Sequence, residues 1–123
     1  MPDRAKQVGV LCQRVIELLE LTLTEGQSIL LGDSNIAHMV KRHPEDYALY
    51  GEYIPVILSE PDYVAVNEKD GSIEYVKEMQ INTVYVKVAV RVSAHGQLFA
   101  RSVYRLNTNR VQNFIKKGTL KQY

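Results

Sequence analysis

The sequence has 123 residues, the length of a single domain, and 46% of them are hydrophobic, which is enough for one buried core. Its longest apolar runs, over residues 8–12 and 29–31, are too short to cross a bilayer, so we expect no membrane association. No apolar run follows a basic one near the start, and we therefore expect no secretory signal. We predict one domain over residues 1–123, globular over about 8–120.

The charges are balanced in number but not along the chain. The net charge is +1, from 15 basic and 14 acidic residues. Every aspartate and glutamate lies at or before Glu78, so the last third carries only basic charges. This distribution suits a polyanionic partner such as nucleic acid, although a basic sheet face and a solvated last helix would produce the same pattern.

The single cysteine, Cys12, can form no disulfide within the chain. Its neighbours are mostly apolar, which indicates a buried, structural thiol rather than a catalytic one. An unpaired thiol is typical of a reducing compartment, so we expect a cytoplasmic protein.

The first half of the chain predicts mainly helices. Apolar residues recur at helical spacing after residue 13, and Asp33 or Ser34 is a suitable N-cap for a later helix. Gly51 and Pro55 predict that the last helical stretch is divided into two pieces. The predicted elements are a short strand over 7–12, a helix over 13–21, a short strand over 28–31, a helix over 35–43 and a helical stretch over 44–59.

From residue 62 the hydrophobic period changes to two, which is typical of strands. Asp70-Gly71 and His95-Gly96 are hairpin turn signals, and Asn107 or Thr108 is a suitable cap for a last helix. The predicted strands cover residues 63–67, 72–78, 82–93 (beginning at Asn82) and 98–106. We therefore predict an α+β fold in which N-terminal helices pack on a four-stranded antiparallel meander sheet, with a C-terminal helix.

The third predicted strand defines a candidate binding face. Its alternating valines should face the helices, which leaves Lys87 and Arg91 on the opposite, uncovered face. A two-residue loop at His95-Gly96 would pair Ala89 with Ser102, Lys87 with Tyr104 and Arg91 with Ala100. A three-residue loop would shift the register by one and bring Arg101 and Arg105 to that face instead. Arg101 and Ser102 therefore both remain candidates, and an ordinary solvated face is the competing interpretation.

The histidines divide into different roles by position. His38 and His43 are five residues apart and do not share one helical face. His43 lies on the face of Ile36 and Met39, where a core or capping role is expected, whereas His38 points elsewhere and is the better functional candidate. The spacing is not that of a helical zinc site, and the sequence contains no Walker loop and no dinucleotide fingerprint. We expect neither a metal nor a cofactor.

Four segments of the sequence resemble a known family. They are Gly32–Met39, Arg42-His43-Pro44, Asp70–Lys77 and Phe99–Tyr104. Together they resemble phage-borne, RelE-like nucleases of the barnase–EndoU–colicin–RelE superfamily, over about residues 8–120. The resemblance implies N-terminal helices followed by a four-stranded antiparallel sheet. It also implies an endoribonuclease of toxin or phage-effector type, in which the ribose 2′-hydroxyl attacks the adjacent phosphate without a metal.

The resemblance also implies roles for individual residues. RNA cleavage of this type needs proton transfer at two oxygens and cations around the phosphate. His38 is the first candidate for the acid or base, and His43 is the second. Arg101 and Arg91 are expected to bind the phosphate. Ser102 and Tyr104 are expected to orient the phosphate or relay a proton, and Lys87 is expected to add positive charge. The expected substrate is tRNA or another structured RNA. A neutralising protein partner and a homo-oligomer are both compatible with this type of protein.

Two other functions are compatible with the same sequence. A module encoded on a mobile element could keep the RNA-binding face without catalysis. A protein-interaction module could instead use an aromatic patch of Tyr47, Tyr50 and Tyr53, although core packing would explain these tyrosines equally well. Only the nuclease predicts RNA cleavage.

Overall fold

The computed structural model describes residues 4–80 and 83–123, which form an α+β fold as predicted. The predicted start of the third strand at Asn82 lies outside the described residues. The helices are α1 (Gln13–Leu19), α2 (Asp33–Arg42), α3 (Pro44–Tyr50), α4 (Ile54–Ser59) and α5 (Thr108–Lys117), with a 3₁₀ turn at Gly51–Tyr53. The strands are β1 (Ala5–Val10), β2 (Ser28–Gly32), β3 (Tyr63–Val66), β4 (Ile73–Met79), β5 (Val84–Val92), β6 (Leu98–Leu106) and β7 (Lys121–Gln122). Within this part of the chain, no helix has the length and apolar character needed to cross a membrane.

The sheet is larger than the predicted four-stranded antiparallel meander, and it is mixed. Its seven strands follow the order β1-β2-β6-β5-β4-β3-β7. The four predicted strands β3 to β6 are consecutive neighbours and antiparallel. The β1–β2 hairpin joins them because β2 pairs in parallel with the start of β6, and the short β7 pairs with β3. Strands over 7–12 and 28–31 were predicted, but not as part of this sheet. The prediction was wrong about the size of the sheet because the β2–β6 and β3–β7 pairings join segments that are far apart in the chain.

One face of the sheet carries the main core, as the alternating valines predicted. Val86, Val88 and Val90 of β5 are fully buried. They pack in one cluster with side chains of α1 and α4, including Val15 and Ile57. The second face of β5 therefore carries Tyr85, Lys87, Ala89 and Arg91.

This second face is open only in its centre. At one end, Val111 of α5 and Leu120 cover Tyr85 and form a smaller buried cluster with Ala65 and Val76. Along the other side, α2 and α3 contact β6. The prediction of an entirely uncovered face is thus wrong at the end that α5 covers. The space between α2 and α5 forms a groove whose floor consists of β4, β5 and β6.

The β5–β6 hairpin combines the two predicted registers. Its loop contains three residues, Ala94 to Gly96, and Gly96 has a φ of +83°, a conformation that favours glycine. Arg91 therefore pairs with Phe99 and not with Ala100. A bulge at Arg101 then restores the other register, in which Ala89 pairs with Ser102 and Lys87 with Tyr104. The bulge allows the buried Val103 to reach the core while Arg101 stays exposed.

The helix boundaries follow the predicted signals with one correction. The N-cap of α2 is Gly32 rather than Asp33 or Ser34, and its N–H donates to the side-chain oxygen of Asn35 at 2.8 Å. Asn107 caps α5 as predicted, because its side chain accepts a bond from the Arg110 N–H at 3.2 Å. The predicted break in the middle helical stretch is confirmed by the 3₁₀ turn between α3 and α4.

A buried tyrosine in β4 gives a prediction about stability. The Tyr75 side chain is 1% exposed, and its hydroxyl has no hydrogen-bond partner among the described residues. Burying an unpaired hydroxyl costs about 1–3 kcal/mol. We expect Tyr75→Phe to raise the free energy of unfolding by about 1 kcal/mol, measured by urea denaturation. Tyr85→Phe is the control, since the Tyr85 hydroxyl accepts a bond from Gln112 and its loss should destabilise the protein.

The same tyrosine makes stability depend on alkaline pH. Burial raises the pKa of Tyr75 above its ordinary value, and the neighbouring Cys12 and Tyr123 raise it further. A raised pKa in the folded state means that the contribution to stability is complete below about pH 10 and is lost as the pH rises above it. Tyr75→Phe should therefore lose less stability than the wild type above about pH 10. An unchanged or lower stability of Tyr75→Phe at neutral pH would contradict this account of the buried hydroxyl.

Candidate functional site

A cavity of about 340 Å³ lies on the open part of the second face, and we refer to it as the arginine cavity. Its floor contains Ala89, whose small side chain leaves the centre open. The lining consists of His38 and Arg42 from α2, Asp70 and Ser72 from the segment before β4, Ala89 and Arg91 from β5, and Arg101 and Ser102 from β6. Four of the residues singled out in the sequence, His38, Arg91, Arg101 and Ser102, thus lie around one space.

Helix α2 supplies one wall of the arginine cavity. His38 and Arg42 are one helical turn apart, so both side chains lie on the same face. The intervening Met39 is fully buried and anchors the helix against the core. Both polar side chains are exposed and accessible to a ligand. Arg42 lies in one of the segments that carry the family resemblance, but no site role was predicted for it.

Three arginines, Arg42, Arg91 and Arg101, converge on the arginine cavity. Within residues 4–80 and 83–123, the salt bridges involve Lys87 and Arg105 but not Arg42, Arg91 or Arg101. Arg101 reaches the cavity from the bulge in β6, and Arg91 comes from the neighbouring strand. Unpaired guanidinium groups in a concave site are suited to bind the oxygens of a phosphate or carboxylate.

Asp70 is the acidic residue of this cavity. Its carboxylate accepts bonds from the N–H of Ser72 at 2.9 Å and from the Ser72 hydroxyl at 2.7 Å. The bond from the Ser72 N–H has the largest effect and lowers the pKa of Asp70, and the bond from the Ser72 hydroxyl lowers it as well. The charges of Arg91 and Lys87 also lower this pKa, whereas burial raises it. Asp70 is therefore ionised at neutral pH and offsets part of the positive charge. The sequence pattern indicates Asp70 only as a turn residue.

A second group of predicted residues lies beside the arginine cavity. The His43 ring, between α2 and α3, stacks on the Tyr104 ring with centroids 4.7 Å apart and planes at 23°. The Lys87 ammonium nitrogen lies 4.9 Å from the centroid of the same tyrosine ring. His43 and Lys87 thus both contact Tyr104, but none of the three lines the space that His38 lines.

Lys87 forms an ion pair with a carboxylate that sequence reasoning missed. Its Nζ lies 2.9 Å from Oε2 of Glu74, and both side chains are 14% exposed. Burial would lower the pKa of Lys87, but hydrogen bonds with Glu74 and Tyr104 outweigh it and raise the pKa. Asn67 donates a further bond to Glu74 at 3.3 Å. The carboxylate of Glu74 therefore neutralises the positive charge of Lys87. The alternation of side chains along β4 places Glu74 on this second face, so its position could have been predicted from the sequence.

A larger cavity of about 550 Å³ lies beyond this ion pair, and we refer to it as the α5 cavity. Lys87, Glu74 and Tyr104 line its side nearest the arginine cavity, and α5 forms the opposite wall. The alternative register placed Arg105 on this face, and Arg105 also borders the α5 cavity. Its guanidinium forms ion pairs with two residues of α3. Its Nε lies 2.5 Å from Oδ1 of Asp46, and a guanidinium nitrogen lies 3.7 Å from Glu45.

Other candidate groups lie away from both cavities. His95 is exposed in the β5–β6 loop, as expected. Tyr50 is only 2% exposed, and Tyr47 and Tyr53 pack against the core, so these tyrosines form no exposed aromatic patch. In the two described segments, no three or more His, Cys, Asp or Glu residues are grouped so that they could hold a metal ion.

The structure shows an α+β domain with an arginine-lined cavity on one face of its sheet. Residues 6–113 match the family model described as phage-Barnase-EndoU-ColicinE5/D-RelE like nuclease 3. This match includes every residue of the arginine cavity, and the chain belongs to this family of nucleases. No curated protein and no solved structure matches the chain.

Proposed function

We propose that the protein is a metal-independent endoribonuclease that binds the scissile phosphate of RNA in the arginine cavity. The observation that carries the proposal is that three arginines, which form no ion pair with any described residue, converge with His38 around the small side chain of Ala89. Membership of a nuclease family supports the class of reaction. The basic last third of the chain suits a polyanionic substrate.

The proposed reaction is an attack of the ribose 2′-hydroxyl on the adjacent phosphorus. A base removes the hydroxyl proton, the oxygen forms a new bond to phosphorus, and the bond to the 5′-oxygen breaks as an acid protonates that oxygen. The products are a 2′,3′-cyclic phosphate and a 5′-hydroxyl. Arg91 and Arg101 bind the non-bridging oxygens, whose negative charge grows in the transition state, and His38 performs one of the two proton transfers.

The neighbouring residues have supporting roles in this proposal. The Ser102 hydroxyl, next to Arg101, orients the phosphate by donating a hydrogen bond. Tyr104 lies between His43 and Lys87 and relays a proton or orients the sugar, while the stacked His43 ring holds Tyr104 in place. Because Lys87 is paired with Glu74, it adds polarity at this position rather than net charge.

The proposed substrate is tRNA or another structured RNA, and the proposed biological role is that of a toxin or phage effector. Such an activity would be tolerated in the producing cell only with a neutralising protein or tight control of expression. The unpaired thiol of Cys12 supports a reducing, cytoplasmic location.

The test is incubation of the purified protein with single-stranded RNA and total tRNA in EDTA, followed by gel electrophoresis. We expect cleavage by the wild type and by His95→Ala, a control that removes an exposed histidine outside the cavity. We expect little cleavage by His38→Ala. Salt-sensitive RNA binding without cleavage by the wild type would contradict the nuclease and indicate a catalytically inactive binding module.

Removing the negative charge of Asp70 should strengthen RNA binding. Asp70→Asn keeps the size of the side chain but removes a charge near Arg91. We expect RNA affinity to increase about two- to five-fold, the range for one exposed charge interaction, with a smaller gain at higher salt. Fluorescence anisotropy with a short RNA measures the effect. Glu25→Gln, a charge change in an exposed loop, is the control, and an equal gain in both variants would contradict a local effect.

A further inference from the structure

The arginine cavity and the α5 cavity are successive positions along one groove. Ala89 and its partner Ser102 line the first, and Lys87 and its partner Tyr104 line the second. These two pairs are two residues apart along β5, which corresponds to about 6.8 Å in an antiparallel strand. This distance is similar to the span of one nucleotide in single-stranded RNA. An RNA strand with one phosphate in the arginine cavity would thus bring a neighbouring nucleoside to the α5 cavity.

The lining of the α5 cavity combines an apolar wall with cationic groups at its rim. Phe114 is half-buried at this wall, and the guanidinium carbon of Arg110 lies 5.9 Å from the centroid of its ring. Lys69 and the acidic Glu68, in the turn between β3 and β4, also line the cavity, and both are exposed. Neither Arg110 nor Lys69 forms an ion pair with any residue that the structure describes.

We propose that the α5 cavity is a nucleoside subsite, which holds the base and ribose next to the phosphate bound in the arginine cavity. This inference rests on the proposed RNA-cleaving function. A nucleobase is a flat, apolar ring with polar edges, and proteins bind it by stacking on aromatic rings or guanidinium planes. Phe114 and Arg110 provide these two surfaces.

Arg110, Lys69 and the Lys87–Glu74 ion pair fit the remaining parts of a nucleotide. Arg110 and Lys69 face the path of the next backbone phosphate. The Lys87–Glu74 pair at the boundary offers both a donor and an acceptor to the ribose hydroxyls. A purely apolar ligand would leave these charged groups without a function. The chain would therefore bind RNA over at least one nucleoside beyond the phosphate.

The experiment measures the binding of 2′-O-methyl RNA, which lacks the attacking hydroxyl and tests binding separately from cleavage. A short fluorescent oligonucleotide is compared with versions in which one base at a time is removed. The variants are Phe114→Leu, which keeps apolar packing but removes the ring, and Arg110→Ala. Lys116→Ala is the matched control for Arg110, since it removes a positive charge from an exposed position on the same helix.

The expected result is that Phe114→Leu and Arg110→Ala weaken binding of the intact oligonucleotide by about five-fold or more, the lower limit for losing one base stack. Lys116→Ala should change it less than about two-fold. For the wild type, one abasic position should weaken binding, and Phe114→Leu should be insensitive to the base at that position. RNA binding that is unaffected by Phe114→Leu and Arg110→Ala would overturn the subsite but leave the proposed nuclease standing. Absence of RNA binding by the wild type would overturn both.

Discussion

Arg101→Ala is expected to reduce the rate of RNA cleavage by about 10²–10³-fold, the typical cost of removing one group that stabilises transition-state charge. Arg101 extends from the bulge in β6 into the arginine cavity and forms no ion pair with the described residues. Its guanidinium is therefore available for the phosphate oxygens. Because the side chain is exposed, we expect nearly unchanged thermal stability. Initial rates under single-turnover conditions measure the effect.

The controls for Arg101 test charge, geometry and position separately. Arg101→Lys keeps the charge but cannot bind two oxygens with one planar group, so it should recover only part of the activity. Arg4→Ala removes an exposed arginine that lines neither cavity and should cleave like the wild type. Wild-type rates for a folded Arg101→Ala protein would show that this residue does not bind the reacting phosphate.

His38→Ala is expected to reduce cleavage by about 10²–10⁴-fold, the usual contribution of a general acid or base. His38 lies on the exposed face of α2 and lines the arginine cavity with Arg42. Its loss should affect the rate of the chemical step more than RNA affinity. We therefore expect a similar Kd for uncleavable RNA, and a pH–rate profile that loses one of its two limbs. Single-turnover rates between pH 5 and pH 9 measure this change.

A chemical rescue experiment separates catalysis by His38 from a structural role. Added imidazole should restore part of the activity of His38→Ala if the missing group transfers a proton. His95→Ala and His43→Ala provide comparisons. The first should be fully active, and the second should lose activity through the displaced Tyr104 ring without rescue by imidazole. A His38→Ala protein with the wild-type rate and pH profile would contradict the assignment.

Most of the fold could be predicted from local patterns. The alternation of β5 identified its buried face, and the Asp70-Gly71 turn and the Asn107 cap defined element ends that the structure confirms. The parallel pairing of Ile29 with Leu98 could not be predicted, because it joins segments that are far apart in sequence. The two-residue β7 is too short to show any period.

The candidate site could be predicted only to the extent that the strand register could be predicted. Arg91, Arg101 and Ser102 could be named from two alternative registers, but only the bulge explains how Arg101 and Ser102 border the same cavity. No site role was predicted for Arg42 or Glu74, because their placement in the site depends on which side chains lie across the groove. Spacing within a helix or strand indicates which residues share a face, but it does not indicate which side chains of other elements lie opposite that face.

We propose that the ribose 2′-hydroxyl attacks a phosphate held in the arginine cavity. The most direct test is cleavage of a defined RNA by the wild type in EDTA, beside the same RNA with one deoxynucleotide on the 5′ side of the cleaved bond. Mass spectrometry identifies the product ends. We expect a 2′,3′-cyclic phosphate from the first RNA and no cleavage at the deoxy position of the second, which should still bind. Cleavage at the deoxy position, or a product with a 5′-phosphate, would contradict it.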